Sequence, residues 1–176
     1  MMPSIPEEHR RKGPRSVKFA VIIVSTSRYE AKRAGRPVED RSGDLIVGSL
    51  AASGHKVVYR AIVPDDRDEI IGALSEAESG GAEAIIFSGG TGISPRDVTI
   101  EAIEPLLSRK LPGFGEILRY RSYEEIGPAA MLTRSIAGTR GGRVIFVLPG
   151  SPNAASIALE QLILPEVGHI LVHLRE

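Results

Sequence analysis

The chain has 176 residues with 22 basic and 22 acidic side chains, hence no formal net charge, which excludes a nucleic-acid binder working by bulk charge. With 42% hydrophobic and 25% charged residues it has an ordinary globular composition. It contains no Cys, so disulfides, thiolate metal sites and cysteine nucleophiles are all excluded.

Residues 1–16, MMPSIPEEHRRKGPRS, are polar and without periodicity. They read as a flexible tail without the apolar stretch of a secretion signal, and the protein reads as cytoplasmic. No apolar run approaches the ~20 residues of a membrane span. Val17–Ser25 is short, β-branched and nearly continuously apolar, the pattern of a strand buried on both faces. The charged run 26–41 holds Gly35 and Pro37 and reads as a surface loop, a candidate lid. Residues 42–53 show helical spacing through Leu45, Ile46 and Leu50, with Gly54 as the stop. A strand over Lys56–Val63 ends at Pro64, and a helix is predicted over Asp65–Ser79. Ala84–Phe87 is a third strand. A short helix near Thr99–Leu107 is interrupted at Pro105. Gly113–Ile126 is helical, and Arg143–Leu148 is the last clear strand. Asn153–Leu164 is a helix, and Pro165 starts a separate terminal one. Strands alternating with helices predict one α/β domain over 17–176: a three-layer sandwich around a mostly parallel sheet.

In such sheets ligands bind beyond the carboxyl ends of the strands. Four segments arrive there: Ser25-Thr26-Ser27, Pro64-Asp65-Asp66, Ser88-Gly89-Gly90-Thr91-Gly92 and Pro149-Gly150-Ser151-Pro152-Asn153. The glycine run either forms an anion nest or makes a turn that needs positive φ. It lacks the Lys-Ser/Thr of a P-loop and the GxGxxG dinucleotide spacing. Ser94-Pro95-Arg96-Asp97 reads equally as a capping box or as a place where Asp97 holds Mg²⁺. Asp65-Asp66 is open between helix-start carboxylates and a cation site. Ser151 and Asn153 suit either an N-cap or an anion site. Asp40–Asp44 looks like capping chemistry, with possible phosphate contact through Ser42. His169 and His173, spaced i,i+4, read as structural or solvated without an HExxH context. The single Asn153 and Gln161 beside 25% charge fit a heat-adapted composition.

Ser88–Ala102 (SGGTGISPRDVTIEA) resembles the signature of the MogA/MoaB family of molybdenum cofactor biosynthesis proteins, which includes the gephyrin domains. Pro112–Glu116 (PGFGE), Met131–Ser135 (MLTRS) and Leu148–Pro152 (LPGSP) continue it in order. The segments Val24–Tyr29 and Asp40–Asp44 look most like its archaeal-type MoaB branch. The resemblance covers about residues 17–174 and implies the molybdopterin-binding fold. It also implies adenylyl transfer from Mg-ATP to molybdopterin, with release of pyrophosphate. Asp65 and Asp97 match the two aspartates tied to that chemistry and to Mg²⁺. Thr133 and Ser135 join the implied substrate-binding set. A homo-oligomer is implied, hexameric in MoaB-type and trimeric in MogA-type members, with a downstream metal-insertion protein as a possible partner. The alternatives are a molybdopterin carrier without catalysis and a phosphate-ester enzyme acting on nucleotides.

Overall fold

The computed structural model describes residues 13–176. Six strands form one sheet in the order β2-β1-β3-β6-β5-β4. They are β1 (Lys18–Val24), β2 (Lys56–Val63), β3 (Ala84–Ser88), β4 (Arg109–Lys110), β5 (Ile136–Arg140) and β6 (Arg143–Leu148). β2, β1, β3 and β6 are mutually parallel, and β5 and β4 add antiparallel pairings at one edge. The helices are α1 (Thr26–Arg33), α2 (Arg41–Ala52), α3 (Arg67–Ser79), α4 (Thr99–Ile103), α5 (Pro112–Ile126), α6 (Pro152–Ala158) and α7 (Leu164–Arg175).

The apolar strand runs are explained by two cores. Side chains alternate across a strand, so Phe19, Val21 and Ile23 enter one core while Ala20, Ile22 and Val24 enter the other. The first core packs β1, β3 and β6 against Ile46 and Leu50 of α2 and against the C-terminal helix. The second packs them against Ile70 and Leu74 of α3 and Ile100 and Ile103 of α4. A strand covered on both sides has no polar face, which is why its sequence does not alternate.

Three expectations are corrected. Residues 26–41 are not all loop, because Thr26–Arg33 is helical with no buried residue. Gly35 ends it: at φ +67° its N–H bonds Lys32 O and that of Arg36 bonds Ala31 O, a Schellman stop. The predicted break at Pro165 is absent. Pro152–Arg175 is one continuous helix, widened to a π turn over Leu159–Ile163. Proline lacks the N–H of a regular turn and crowds the carbonyl four residues back, so the wider turn accommodates it. This helix has the length and hydropathy to cross a membrane, contrary to the reading of the sequence, but Ala158, Leu159, Ile163, Val167 and Leu171 lie in the first core. Of the expected tail, residues 1–12 lie outside the described residues. Gly13 and Pro14 pack against Gly168 of α7.

His55 closes one end of the first core. Its ring stacks at a tilt on Phe19, with centroids 5.3 Å apart, and Nδ1 accepts the Val17 N–H at 3.2 Å. Burial disfavours the imidazolium and lowers its pKa from 6.5. The unfolded chain therefore takes up the proton first. The contribution to stability is complete above the unfolded value and is lost as pH falls through the folded one. The melting temperature is expected to fall more steeply between about pH 7 and about pH 5 in the wild type than in His55→Asn, whose amide oxygen can accept the same bond. Parallel slopes would remove His55 from the account.

Candidate active site

Because four strands are parallel, they end together. Val24 lies beside Val63, Ile23 beside Ser88, and Ser88 beside Leu148. The chain leaves β1 toward β2 and then crosses back to β3, so the switch in strand order lies between β1 and β3. Backbone bonds continue past the strands, from Ser25 N to Val63 O at 2.8 Å and from Gly89 N to Leu148 O at 3.1 Å.

The acidic pair after β2 divides its roles. Asp66 is the N-cap of α3 and accepts the N–H groups of Asp68 and Glu69 at 2.9 and 3.1 Å. Asp65 turns instead to the start of α1. Its Oδ2 accepts the Thr26 N–H at 3.0 Å and the Thr26 hydroxyl at 2.8 Å, and the Asp65 N–H returns a bond to that hydroxyl at 2.9 Å. A carboxylate here satisfies an orphan helix donor and meets the positive end of the helix dipole.

The glycine run follows β3. Gly89 and Gly90 have φ of +105° and +61°. Thr99, fully buried, fixes both: its hydroxyl donates to Gly89 O at 2.9 Å and its N–H to Gly90 O at 3.0 Å. A Cβ on Gly90 would lie 2.8 Å from Asp65 Oδ1, so the second oxygen of Asp65 faces the loop. Asp97 does the same farther along, where a Cβ on Gly92 would come within 2.7 Å of its Oδ2.

The capping-box bond of Ser94–Asp97 forms without the helix it would start. Asp97 Oδ2 accepts the Ser94 N–H at 3.1 Å, and the Asp97 N–H bonds Ser94 O at 2.9 Å. The segment is a closed turn, and α4 begins at Thr99 with Val98 as N-cap. Arg134, not singled out in the sequence, fastens this turn. Its Nε donates to Thr91 O at 3.0 Å, one terminal nitrogen to Asp97 O at 3.4 Å and another to Glu101 Oε1. The guanidinium holds the Glu101 carboxyl below its usual range, and Glu101 pushes Arg134 up in return. The only hint was its place in the MLTRS run.

Two clefts open here. One of about 620 Å³ is lined by Ser25, Thr26, Ser27, Glu30, Asp65 and Arg96, among others. The other, about 280 Å³, is lined by Ser94, Asp97, Glu101 and Arg134, and the two share Pro95 and Val98. A third, about 190 Å³, lies under α5 beside Glu116, Arg119 and Ser135. Ser135 is buried and its hydroxyl has no hydrogen-bond partner among the described residues.

The remaining candidates brace the site. Ser42, buried, donates to Gly150 O at 2.8 Å, and Ser88, buried, to Pro149 O at 3.2 Å. Ser151 is the N-cap of α6 and accepts the Ala154 N–H at 3.2 Å. Asn153 reaches Glu125 on α5. Thr133 N–H bonds Ala130 O at 3.0 Å. Thr91 is buried behind the loop and Gly150 packs on Gly89. Among the described residues no group of three or more His, Cys, Asp or Glu could hold a metal unaided. A hard cation of the Mg²⁺ kind needs few protein carboxylates, because waters and substrate phosphates usually complete its shell, and Asp65 and Asp97 line the two adjoining clefts.

A family model described as probable molybdopterin binding domain matches residues 20–169. A relative from Pyrococcus furiosus named molybdopterin adenylyltransferase is 47% identical over 174 residues, covering 97% of this chain and 98% of that one. A molybdenum cofactor biosynthesis protein B from Bacillus cereus is 42% identical over 169 residues, with 95% of this chain and 96% of that one covered. Among solved structures, that of the tungsten cofactor synthesizing protein MoaB from Pyrococcus furiosus superposes with a TM-score of 0.82 at 47% identity, over 93% of this chain and 99% of that one.

Proposed function

The chain belongs to the molybdopterin-binding family, and from that premise we propose that it is a molybdopterin adenylyltransferase acting in molybdenum cofactor biosynthesis in the cytoplasm. Its substrates are molybdopterin and ATP, the latter as the Mg²⁺ complex. One observation carries the reading: Asp65, which lines the cleft at the strand ends, also turns its Oδ1 to the Gly90 backbone. That places a carboxylate beside a glycine loop, and a carboxylate repels an anion held there unless a cation offsets the charge.

A phosphate oxygen of molybdopterin attacks the α-phosphorus of ATP. The new P–O bond forms as the bond from the α-phosphorus to the bridging oxygen breaks, and pyrophosphate leaves with the electron pair. The nucleophile is already ionised, so no general base is needed. The protein must align two anions and offset their repulsion. The N–H groups of Gly90–Gly92, of Gly150 and of Ser151 serve as phosphate donors, and Thr99 and Arg134 hold the loop still. Asp65 and Asp97 would hold Mg²⁺, which when bound supplies charge neutralisation at the phosphates.

The chain works as a homo-oligomer, hexameric by its MoaB-type resemblance. What supports self-association is an exposed apolar face on α5 and the turn after it, with Tyr120 62% and Met131 80% exposed beside Tyr123, Ile126 and Leu132.

The test uses the purified protein, with its mass read by light scattering in the same samples. Pyrophosphate release is expected only when molybdopterin and Mg-ATP are both present, in a particle larger than a monomer. Pterin binding without release would instead favour a carrier. ATP hydrolysis without pterin would favour a nucleotide phosphoesterase.

A further inference from the structure

We infer that Arg96 is the side chain that grips the polyphosphate of the nucleotide, and then the pyrophosphate left behind; this rests on the adenylyltransferase reading above.

Arg96 lines the same cleft as Thr26 and Asp65, and among the described residues lining it Arg96 is the one basic side chain. The cleft also holds the carboxylates of Glu30 and Asp65. A triphosphate entering there meets two acidic groups, and a single divalent cation offsets only part of the total negative charge. A second source of positive charge is needed, and the chain as a whole has no surplus to lend.

The two arginines around the glycine loop are used in opposite ways. Arg134 is committed: its guanidinium is spent on Thr91 O, Asp97 O and Glu101. Arg96 makes no side-chain hydrogen bond and no ion pair among the described residues, and it is exposed. Its backbone, by contrast, is anchored. The Arg96 N–H bonds Ser94 Oγ at 3.3 Å, the next N–H closes the turn onto Ser94 O, and Pro95 limits the residue before it. A rigidly placed Cα carrying an uncommitted planar fork is suited to bidentate capture of phosphate oxygens.

The test is calorimetric titration of inorganic pyrophosphate into wild-type protein, Arg96→Met and Arg96→Lys, with Mg²⁺ present. Pyrophosphate affinity is expected to fall by about 10- to 100-fold in Arg96→Met, the range for losing a charge-assisted pair. Arg96→Lys keeps the charge but not the fork, and recovers part of the loss. Affinity for molybdopterin stays within about twofold, and equal melting temperatures show that the loss is not one of folding. Pyrophosphate affinity unchanged in Arg96→Met overturns the role of Arg96. A wild-type protein that binds neither pyrophosphate nor ATP overturns the adenylyltransferase reading instead.

Discussion

Asp65→Asn is expected to slow pyrophosphate release by about 100- to 1,000-fold, the range for deleting one preorganised charge that acts on a transition state. The substitution is nearly isosteric. An amide oxygen at the Oδ2 position can still accept the Thr26 N–H and hydroxyl, now held at 3.0 and 2.8 Å. The start of α1 therefore stays in place, and the melting temperature should move little. What is lost is the negative charge facing Gly90, and with it a ligand for a cation between carboxylate and phosphate. Asp97→Asn is expected to act in the same direction. Its Oδ2 receives only the Ser94 N–H, at 3.1 Å, and an amide oxygen can keep that bond and the turn it closes. If the two carboxylates serve one cation, each variant should also need more Mg²⁺ to reach half its maximal rate. Release near the wild-type rate in both variants would exclude these aspartates from the chemistry. Loss of rate together with a large drop in melting temperature would make them structural.

The sequence and the structure part company where burial and local pattern separate. β1, β3 and β6 were legible because both faces are covered, so their apolar residues run together. β5 was not. IAGTR has two polar residues and a glycine, and Gly138 is there because a Cβ would strike Leu107 and Arg109 from the neighbouring segment. β4 has only two residues, too few for any period to appear. α1 was missed for another reason: it buries nothing, so it has no apolar stripe to read. It is held from outside, by Asp65 at its start and by the Gly35 stop at its end. The same distance in sequence hid the division of labour between Asp65 and Asp66. The pair reads either as helix-start acids or as a cation site, and the bond from Thr26 to Asp65 across 39 residues, closed by the parallel pairing of β1 and β2, is what separates Asp65 from the N-cap Asp66. Arg134 was invisible for a related reason, since its partners Thr91, Asp97 and Glu101 lie on the other side of α5 in the chain.

Gly89→Ala is expected to be the most damaging single substitution to the fold near the site, and Gly35→Ala provides its measure. Both residues have positive φ, +105° and +67°, where an L side chain costs roughly 1–2 kcal/mol. At Gly35 nothing lies within 4 Å of an added Cβ, so that conformational cost is the whole effect. At Gly89 the Cβ would collide with the carbonyl oxygen of Val24 and come within 3.3 Å of its carbonyl carbon. This neighbour is backbone, and it cannot swing aside as a long side chain would. Val24 is the last residue of β1, paired with Val63, and the next N–H is bonded to Val63 O at 2.8 Å. Overpacking of this kind adds roughly 1–3 kcal/mol, for a total of about 2–5 kcal/mol against a marginal total stability. At about 2–4 °C per kcal/mol for a chain of this size, Gly89→Ala should melt roughly 4–20 °C below the wild type, and Gly35→Ala roughly 2–8 °C below. The loss of activity should exceed the loss of stability. Gly89 O is the acceptor that fixes Thr99, and Thr99 also holds Gly90, the residue faced by Asp65. A shift forced on Gly89 by Val24 therefore moves the phosphate donors relative to the carboxylate. Equal melting temperatures for the two variants would mean that β1 yields at its end, and that the loop is not held by contact with Val24.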